Sequence, residues 1–193
     1  MSAEIRSFLA FDLSDEMRND VSRLTLELRP LLPGSRWVRV ENMHLTVVFL
    51  GHLPESSLEG ITRVAKKICD RYGAFDIALK GVGVFSGIRN PRVFWVGIQA
   101  DLKRLSHFRN ALQRNLNSIG VREEKRPFRP HLTLCRFKKG TRGGPQLANI
   151  LEAHREFSSP FCTITELFLV KSDLTSRGAV YSKLAAWPLS GHR

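Results

Sequence analysis

His-Leu-Thr occurs twice, each time opening an apolar stretch: NMHLTVVFL at 42–50 and RPHLTLCRF at 129–137. With Leu about a tenth of residues and Thr about a twentieth, a given His is followed by Leu-Thr about once in 200 times. Two such events among six histidines are therefore not chance. In a β-strand, residues i and i+2 point to the same face. His44 and Thr46 thus share a face, as do His131 and Thr133, while Leu45, Val47, Leu132 and Leu134 send the opposite faces into a core. The fold must hold two equivalent strands, each apolar behind and carrying an imidazole and a hydroxyl in front. Two lobes related by an approximate two-fold axis, with these faces across a cleft, meet that demand.

The rest of the chain supplies strands and helices in a suitable order. IRSFLAFDL (5–13) reads as a strand, and Ser14 then caps a helix whose inner stripe is Val21, Leu24, Leu28 and Leu31. After the first motif strand (43–51), Pro54 opens a second helix with Leu58, Ile61, Ala65 and Ile68 inward, closed by Gly73. Strands at 75–85 and 92–99 flank the turn SGIRNP. A helix over 101–119 follows, with Leu102, Leu105, Phe108, Leu112, Leu116 and Ile119 inward. Beyond the second motif lie a Gly-rich loop (138–145), a short helix near 146–155, and two final strands, CTITELFLV and AVYSKLAAW. Several strands look joined by hairpins, and no βαβ array repeats. The pattern predicts α+β with antiparallel sheets, helices outside, and one two-lobed domain over residues 1–193.

Charge narrows the partner. Thirty Lys and Arg against eighteen Asp and Glu give a net charge of +12, and the basic residues cluster beside the motifs in RPLLPGSRWVR, REEKRPFR and RFKKGTR. That balance favours a polyanion such as nucleic acid. No apolar run approaches the roughly 20 residues that span a bilayer, and the N-terminus does not read as a signal peptide. Cys69, Cys135 and Cys162 are scattered and odd in number, without CxxC spacing, against both a disulfide framework and a structural zinc site. The expectation is a cytoplasmic protein without membrane contact.

Histidine titrates near neutrality, so one ring can be a neutral base while the other is a protonated acid. Threonine hydroxyls donate to phosphate oxygens without adding charge. No carboxylate pair, phosphate-binding glycine loop, nucleophile elbow, cofactor motif or metal-ligand run competes. The set suits in-line displacement at a phosphodiester with neither cofactor nor metal. In an ideal strand Cys135 joins His131 and Thr133 on one face, which makes a His-His-Cys metal site conceivable, but no cysteine stands near His44 to match it. His52, His107, His154 and His192 lack the motif and read as ordinary surface residues.

With both motifs, plus RSFLAFDL, PRVFWVGI, RPFRPHLTLCRF and ELFLVKSDLTSRGAVYSKLAAWPL, the chain resembles the RNA 2′,3′-cyclic phosphodiesterase (2′–5′ RNA ligase) family of the two-histidine phosphoesterase superfamily along nearly its whole length. The resemblance implies a bilobal α+β fold with the two motifs facing a central cleft. It implies hydrolysis of 2′,3′-cyclic phosphate RNA ends, tRNA halves among them, to 2′-phosphomonoesters, and reversible 2′–5′ joining by a monomer. It assigns His44 as proton donor and His131 as proton acceptor, with Thr46 and Thr133 on the non-bridging oxygens; the two motifs themselves are nearly symmetric and do not choose. Arg136 resembles the arginine of the family's HxTxxR pattern, a phosphate clamp. Strict alternation nevertheless puts it on the face opposite His131, unless the strand twists or bulges there. Phe128 and Tyr181 are candidate substrate contacts; Phe49 is expected in the core, and Trp37 stays open. Two rival readings remain: a related phosphodiesterase acting on 2′–5′ or 3′–5′ oligonucleotides, and a non-catalytic RNA- or nucleotide-binding module.

Overall fold

The computed structural model describes residues 4–176 and 178–192. Its elements run β1 (Glu4–Phe11), α1 (Asp15–Leu28), β2 (Arg36–Trp37), β3 (Leu45–Pro54), α2 (Leu58–Cys69), β4 (Phe75–Phe85), β5 (Val93–Gln99), α3 (Leu102–Asn117), β6 (His131–Arg136), α4 (Pro145–Ala153), β7 (Cys162–Ile164), β8 (Glu166–Thr175) and β9 (Gly178–Pro188). They form two antiparallel sheets, ordered β3-β1-β8-β9 and β2-β6-β5-β4-β7. The fold is α+β, as expected, with one His-Leu-Thr strand in each sheet.

Local chemistry places the helices. The Ser14 hydroxyl accepts from the Met17 amide at 3.2 Å and so caps α1, whose first turn holds Asp15 and Glu16. Asp101 caps α3 in the same way, accepting from the Arg104 amide at 2.9 Å. The inner stripes bury Val21, Leu24 and Leu28 in α1, and Leu105, Phe108, Leu112 and Leu116 in α3. Three residues expected inward are not. Leu31 lies beyond the end of α1, Ile119 beyond the end of α3, and Leu102 in its first turn; all three are exposed. The last turn or first turn of a helix has left the sheet it covers, so periodicity overruns burial there.

An aromatic cluster ties the two sheets together. Phe11 of β1, Phe75 of β4 and Phe108 of α3 meet pairwise at 5.4–5.7 Å between ring centroids, and all three are fully buried. Contacts of this kind add about 0.5–1.5 kcal/mol each beyond their burial. CTITELFLV does not form one strand: β7 pairs with β4 in the second sheet, while β8 enters the first between β1 and β9. Ile164 and Leu167 are both buried, an odd spacing that no single alternating strand satisfies, so the chain changes sheets between them.

The two motif strands share an irregularity. In β3, Val48 pairs with Leu9 and Thr46 with Ala10, leaving Val47 as an extra residue. In β6, Cys135 pairs with Phe94 and Thr133 with Trp95, leaving Leu134 extra. Each strand thus carries a β-bulge immediately after its threonine, where two successive residues turn into the core: Val47 and Val48 in one, Leu134 and Cys135 in the other. Alternation restarts one residue out of phase.

Close approach also needs a glycine. A Cβ on Gly83 of β4 would lie 2.2–2.7 Å from three indole atoms of Trp95, so the indole rests directly on the glycine of the neighbouring strand. Gly83→Ala should lift that ring and cost about 1–3 kcal/mol, as core overpacking does, read as a lower urea midpoint at unchanged slope.

Candidate active site

The bulges decide what faces the cleft. His44 and Thr46 are half-buried on one face of β3, and the fifth residue after His44, Phe49, returns to that face and is 55% exposed. The expectation that Phe49 belongs to the core is therefore corrected: the extra residue at Val47 moves it out. On β6, His131 and Thr133 are half-buried and Arg136, again five residues on, is exposed on their side. The bulge resolves the conflict over Arg136 in favour of the cleft. Cys135 turns inward instead, fully buried, with burial pushing its thiol up to about 11. The His-His-Cys set that an ideal strand would allow is not assembled.

Both imidazoles are held in the same manner. The Nδ1–H of His44 donates to the Asn42 carbonyl at 2.9 Å, and that of His131 to the Arg129 carbonyl at 2.7 Å. Each ring thus bonds two residues back along its own chain, which fixes the tautomer and leaves Nε2 for the cleft. Aromatic walls restrict the rings further. Phe8 of β1 stacks on His44 at 4.4 Å and Tyr181 of β9 meets it edge-on at 5.3 Å. Phe85 of β4 meets His131 edge-on at 4.7 Å, with Trp95 at 6.4 Å.

The surroundings differ in charge. Burial is the largest influence on both histidines and lowers both below the ordinary 6.5. The carbonyl bonds oppose it in each case. Beyond that, the Asp12 carboxylate raises His44 while the charge of His131 lowers it; at His131 the charged neighbour is Arg136, which lowers it. Asp12 is itself kept ionised. Burial works against its charge, but the hydrogen bond from Lys183 at 2.6 Å, the Leu13 amide and the charge of Arg18 outweigh it and lower its pKa. The acidic neighbour is on the His44 side and the basic one on the His131 side.

The remaining expected residues fall in different places. Tyr181 lies in the cleft against Phe8 and His44. Phe128 is partly buried, beneath the Arg109 guanidinium at 5.8 Å, and lines a pocket with His131. Trp37 sits on β2 paired with Cys135, with Arg29 5.9 Å from its ring. His52, His107 and His192 are exposed, and His154 binds the Ile150 carbonyl and Glu27. Reading the sequence missed Phe8, Asp12, Phe85, Trp95 and Lys183 as site residues. Phe8, Phe85, Trp95 and Lys183 come from β1, β4, β5 and β9 and Asp12 from just past β1, and only tertiary pairing identifies them.

Comparison with known proteins follows this geometry. Residues 13–175 match the profile of the 2′-5′ RNA ligase superfamily. An RNA 2′,3′-cyclic phosphodiesterase of Methanothermobacter thermautotrophicus is 31% identical over 186 residues, covering 96% of this chain and all of that protein. One of Thermotoga maritima is also 31% identical, covering 93% of each chain. Among solved structures, Escherichia coli LigT complexed with 3′-AMP superposes with a TM-score of 0.76 at 26% identity, over 97% of this chain and 99% of that one. TT0787 of Thermus thermophilus superposes at 0.82 with 24% identity, over 98% and 100%.

The charge asymmetry is testable directly. In proton-titration NMR both motif imidazoles should show midpoints below 6.5. Asp12→Asn removes an attraction for the proton on His44 and should move that midpoint lower still, leaving His131 unchanged. The sign for stability follows: rings that prefer to be neutral when folded stabilise the protein above about pH 6.5, and that contribution is lost as pH falls through the lowered midpoints. An upward shift of His44 in Asp12→Asn would refute the arrangement of charges.

Proposed function

The chain belongs to the 2′-5′ RNA ligase superfamily, and from that premise we propose that it hydrolyses 2′,3′-cyclic phosphate ends of RNA to 2′-phosphomonoesters by metal-independent acid–base catalysis. The observation that carries the reading is the pair of His-x-Thr half-sites, each imidazole held through Nδ1 by the carbonyl two residues back so that Nε2 is left for proton transfer. Burial lowers both rings; Asp12 opposes that at His44, which we assign as the acid, while Arg136 adds to it at His131, assigned as the base.

The step balances with these groups. Water attacks phosphorus and its proton passes to Nε2 of His131. The P–O3′ bond breaks, and His44 protonates the leaving O3′, so the phosphate stays on O2′. Thr46 and Thr133 donate to the non-bridging oxygens, where charge grows in the transition state. Arg136, returned to the cleft face by the bulge, clamps the same oxygens with paired N–H groups. Phe49, on the cleft face beyond Thr46, offers its ring to the base of the nucleoside whose O3′ departs. The basic surface draws in the RNA, and its contribution to binding falls as salt rises. Replacing water by a 5′-hydroxyl gives a 2′–5′ linkage through the same groups.

His44→Ala and His131→Ala should each lose roughly 10²–10⁴ in rate, the range for a positioned acid or base, while His107→Ala stays near wild type. Activity should survive EDTA, and chromatography should identify the product as the 2′-phosphomonoester. Rate against pH should be bell-shaped, its two limbs belonging to the pair rather than to either ring. A substrate with sulfur in place of O3′ needs no acid, so it should rescue His44→Ala and not His131→Ala; rescue of His131→Ala instead would reverse the roles. Arg136→Lys keeps the charge but not the paired geometry, and should fall well short of wild type.

A further inference from the structure

Each motif imidazole hangs from the carbonyl two residues back, so each ring is only as well placed as the peptide that holds it. At His44 that peptide belongs to a single turn of 3₁₀ helix, Val40–Asn42, in the chain between β2 and β3. Turns of this kind have poor hydrogen-bond geometry and do little to fix their own peptides, and no side-chain cap steadies this one at Arg39. Its fixed points come from elsewhere. Met43, 2% exposed, sinks into the core just after it, and Arg18 of α1 donates to the Val40 carbonyl at 3.2 Å. The third is the Asn42 side chain, whose Nδ2 donates to the Ala179 carbonyl of β9, also at 3.2 Å.

That last bond belongs to a pattern. β9 is the outer strand of its sheet, and residues two apart along it reach the His44 half-site in turn. Ala179 takes the Asn42 amide, Tyr181 lies edge-on to the imidazole at 5.3 Å, and Lys183 donates to Asp12 at 2.6 Å. Residues i and i+2 share a face of a strand, so one strand sets the holder, the ring and the neighbouring carboxylate in a common frame. The half-site on β6 is built otherwise. Its holder is Arg129, in a segment over 121–130 without helix or strand. That segment leans on α3, where Arg109 donates to the Glu124 carbonyl at 3.1 Å and Gln113 to the Arg122 carbonyl at 3.4 Å. The sequence marks the same difference, Asn-x-His-x-Thr in one motif and Arg-x-His-x-Thr in the other.

Resting on the acid–base reading above, we propose that Asn42 is a positioning residue for His44, its side-chain amide pinned to β9 so that its own carbonyl aims the imidazole at the phosphate. Asn42 touches no reacting atom and acts only through the ring. The lever is large, because a misplacement of about 1 Å at a reacting group costs about a hundredfold in rate, and a turn that slides carries Nε2 with it. β9 thereby becomes part of the machinery of the acid although it contributes no proton-transfer group.

The test uses adenosine 2′,3′-cyclic phosphate and its analogue with sulfur in place of O3′, which needs no acid. Met43 and Arg18 keep the turn attached, so Asn42→Ala should fold with a urea midpoint near wild type. On the oxygen substrate its kcat should fall by about tenfold to a hundredfold with KM within about twofold, the mark of an interaction lost from the transition state. On the sulfur substrate the loss should shrink to about threefold or less, following His44→Ala and not His131→Ala. With no substrate present, exchange of the His44 Nδ1 proton with water, read by NMR, should be about fivefold faster, as for one lost hydrogen bond, while that of His131 is unchanged. Equal losses on both substrates, a rise in KM alone, or unchanged proton exchange at His44 overturns the positioning role and leaves the hydrolytic reading intact. Wild-type protein active on neither substrate overturns the hydrolytic reading, and the proton exchange then decides the role of Asn42 by itself.

Discussion

An extra residue in each motif strand governs the rest of the site. Val47 in β3 and Leu134 in β6 have no cross-strand partner of their own, so two successive side chains enter the core and the strand resumes out of phase. Without the bulge, the face bearing His and Thr would continue into Val48 on one side and Cys135 on the other, and Phe49 and Arg136 would turn inward. A buried guanidinium with no partner would be strongly unfavourable. With the bulge, each half-site reads imidazole, hydroxyl, then a fifth residue that reaches the cleft. The frame is duplicated down to its irregularity; the fifth residue is where the halves part, Phe49 against Arg136.

That difference, with Asp12, gives a symmetric frame asymmetric surroundings. Burial drives both imidazoles towards the neutral form, and each unit of pKa corresponds to about 1.4 kcal/mol. An ionised Asp12 on the His44 side offsets part of that lowering, and Lys183 and Arg18 keep Asp12 ionised. Arg136 does the reverse at His131. The two charges that make the histidines' surroundings differ sit just past β1 and at the end of β6, far apart in sequence.

Much of the frame is legible in the sequence. The i, i+2 spacing identifies His44, Thr46, His131 and Thr133 as cleft-facing, and the alternation of strand and helix signals identifies α+β with antiparallel pairing. What local periodicity does not deliver is phase. Strict alternation, carried through a bulge, puts Phe49 in the core and leaves Arg136 between two faces. The signal is present in the apolar residues Val48 and Cys135, which alternation would put on the polar side. Leu102 is misplaced for a related reason, since a helical stripe does not reveal where the covered sheet ends. Phe8, Asp12, Phe85 and Lys183 carry no local signal, because the cross-strand register that aims them at the motif histidines is a property of the whole fold.

Under the proposed function the electrostatics also favour threonine, rather than a cation, at positions 46 and 133. A lysine in place of Thr46 or Thr133 would bind phosphate more strongly as a point charge, but beside an imidazole it would depress a proton affinity that burial has already lowered. On the His44 side it would oppose the influence of Asp12. A hydroxyl donates to the same oxygen, rotates to follow it through the reaction, and leaves the two imidazoles poised apart. On the function proposed above His131 acts as base, and Arg136, the permanent cation that β6 carries on its cleft face, stands beside it. Its depressing effect adds to that of burial, so under that proposal a single guanidinium would both clamp the phosphate and help keep its neighbour neutral.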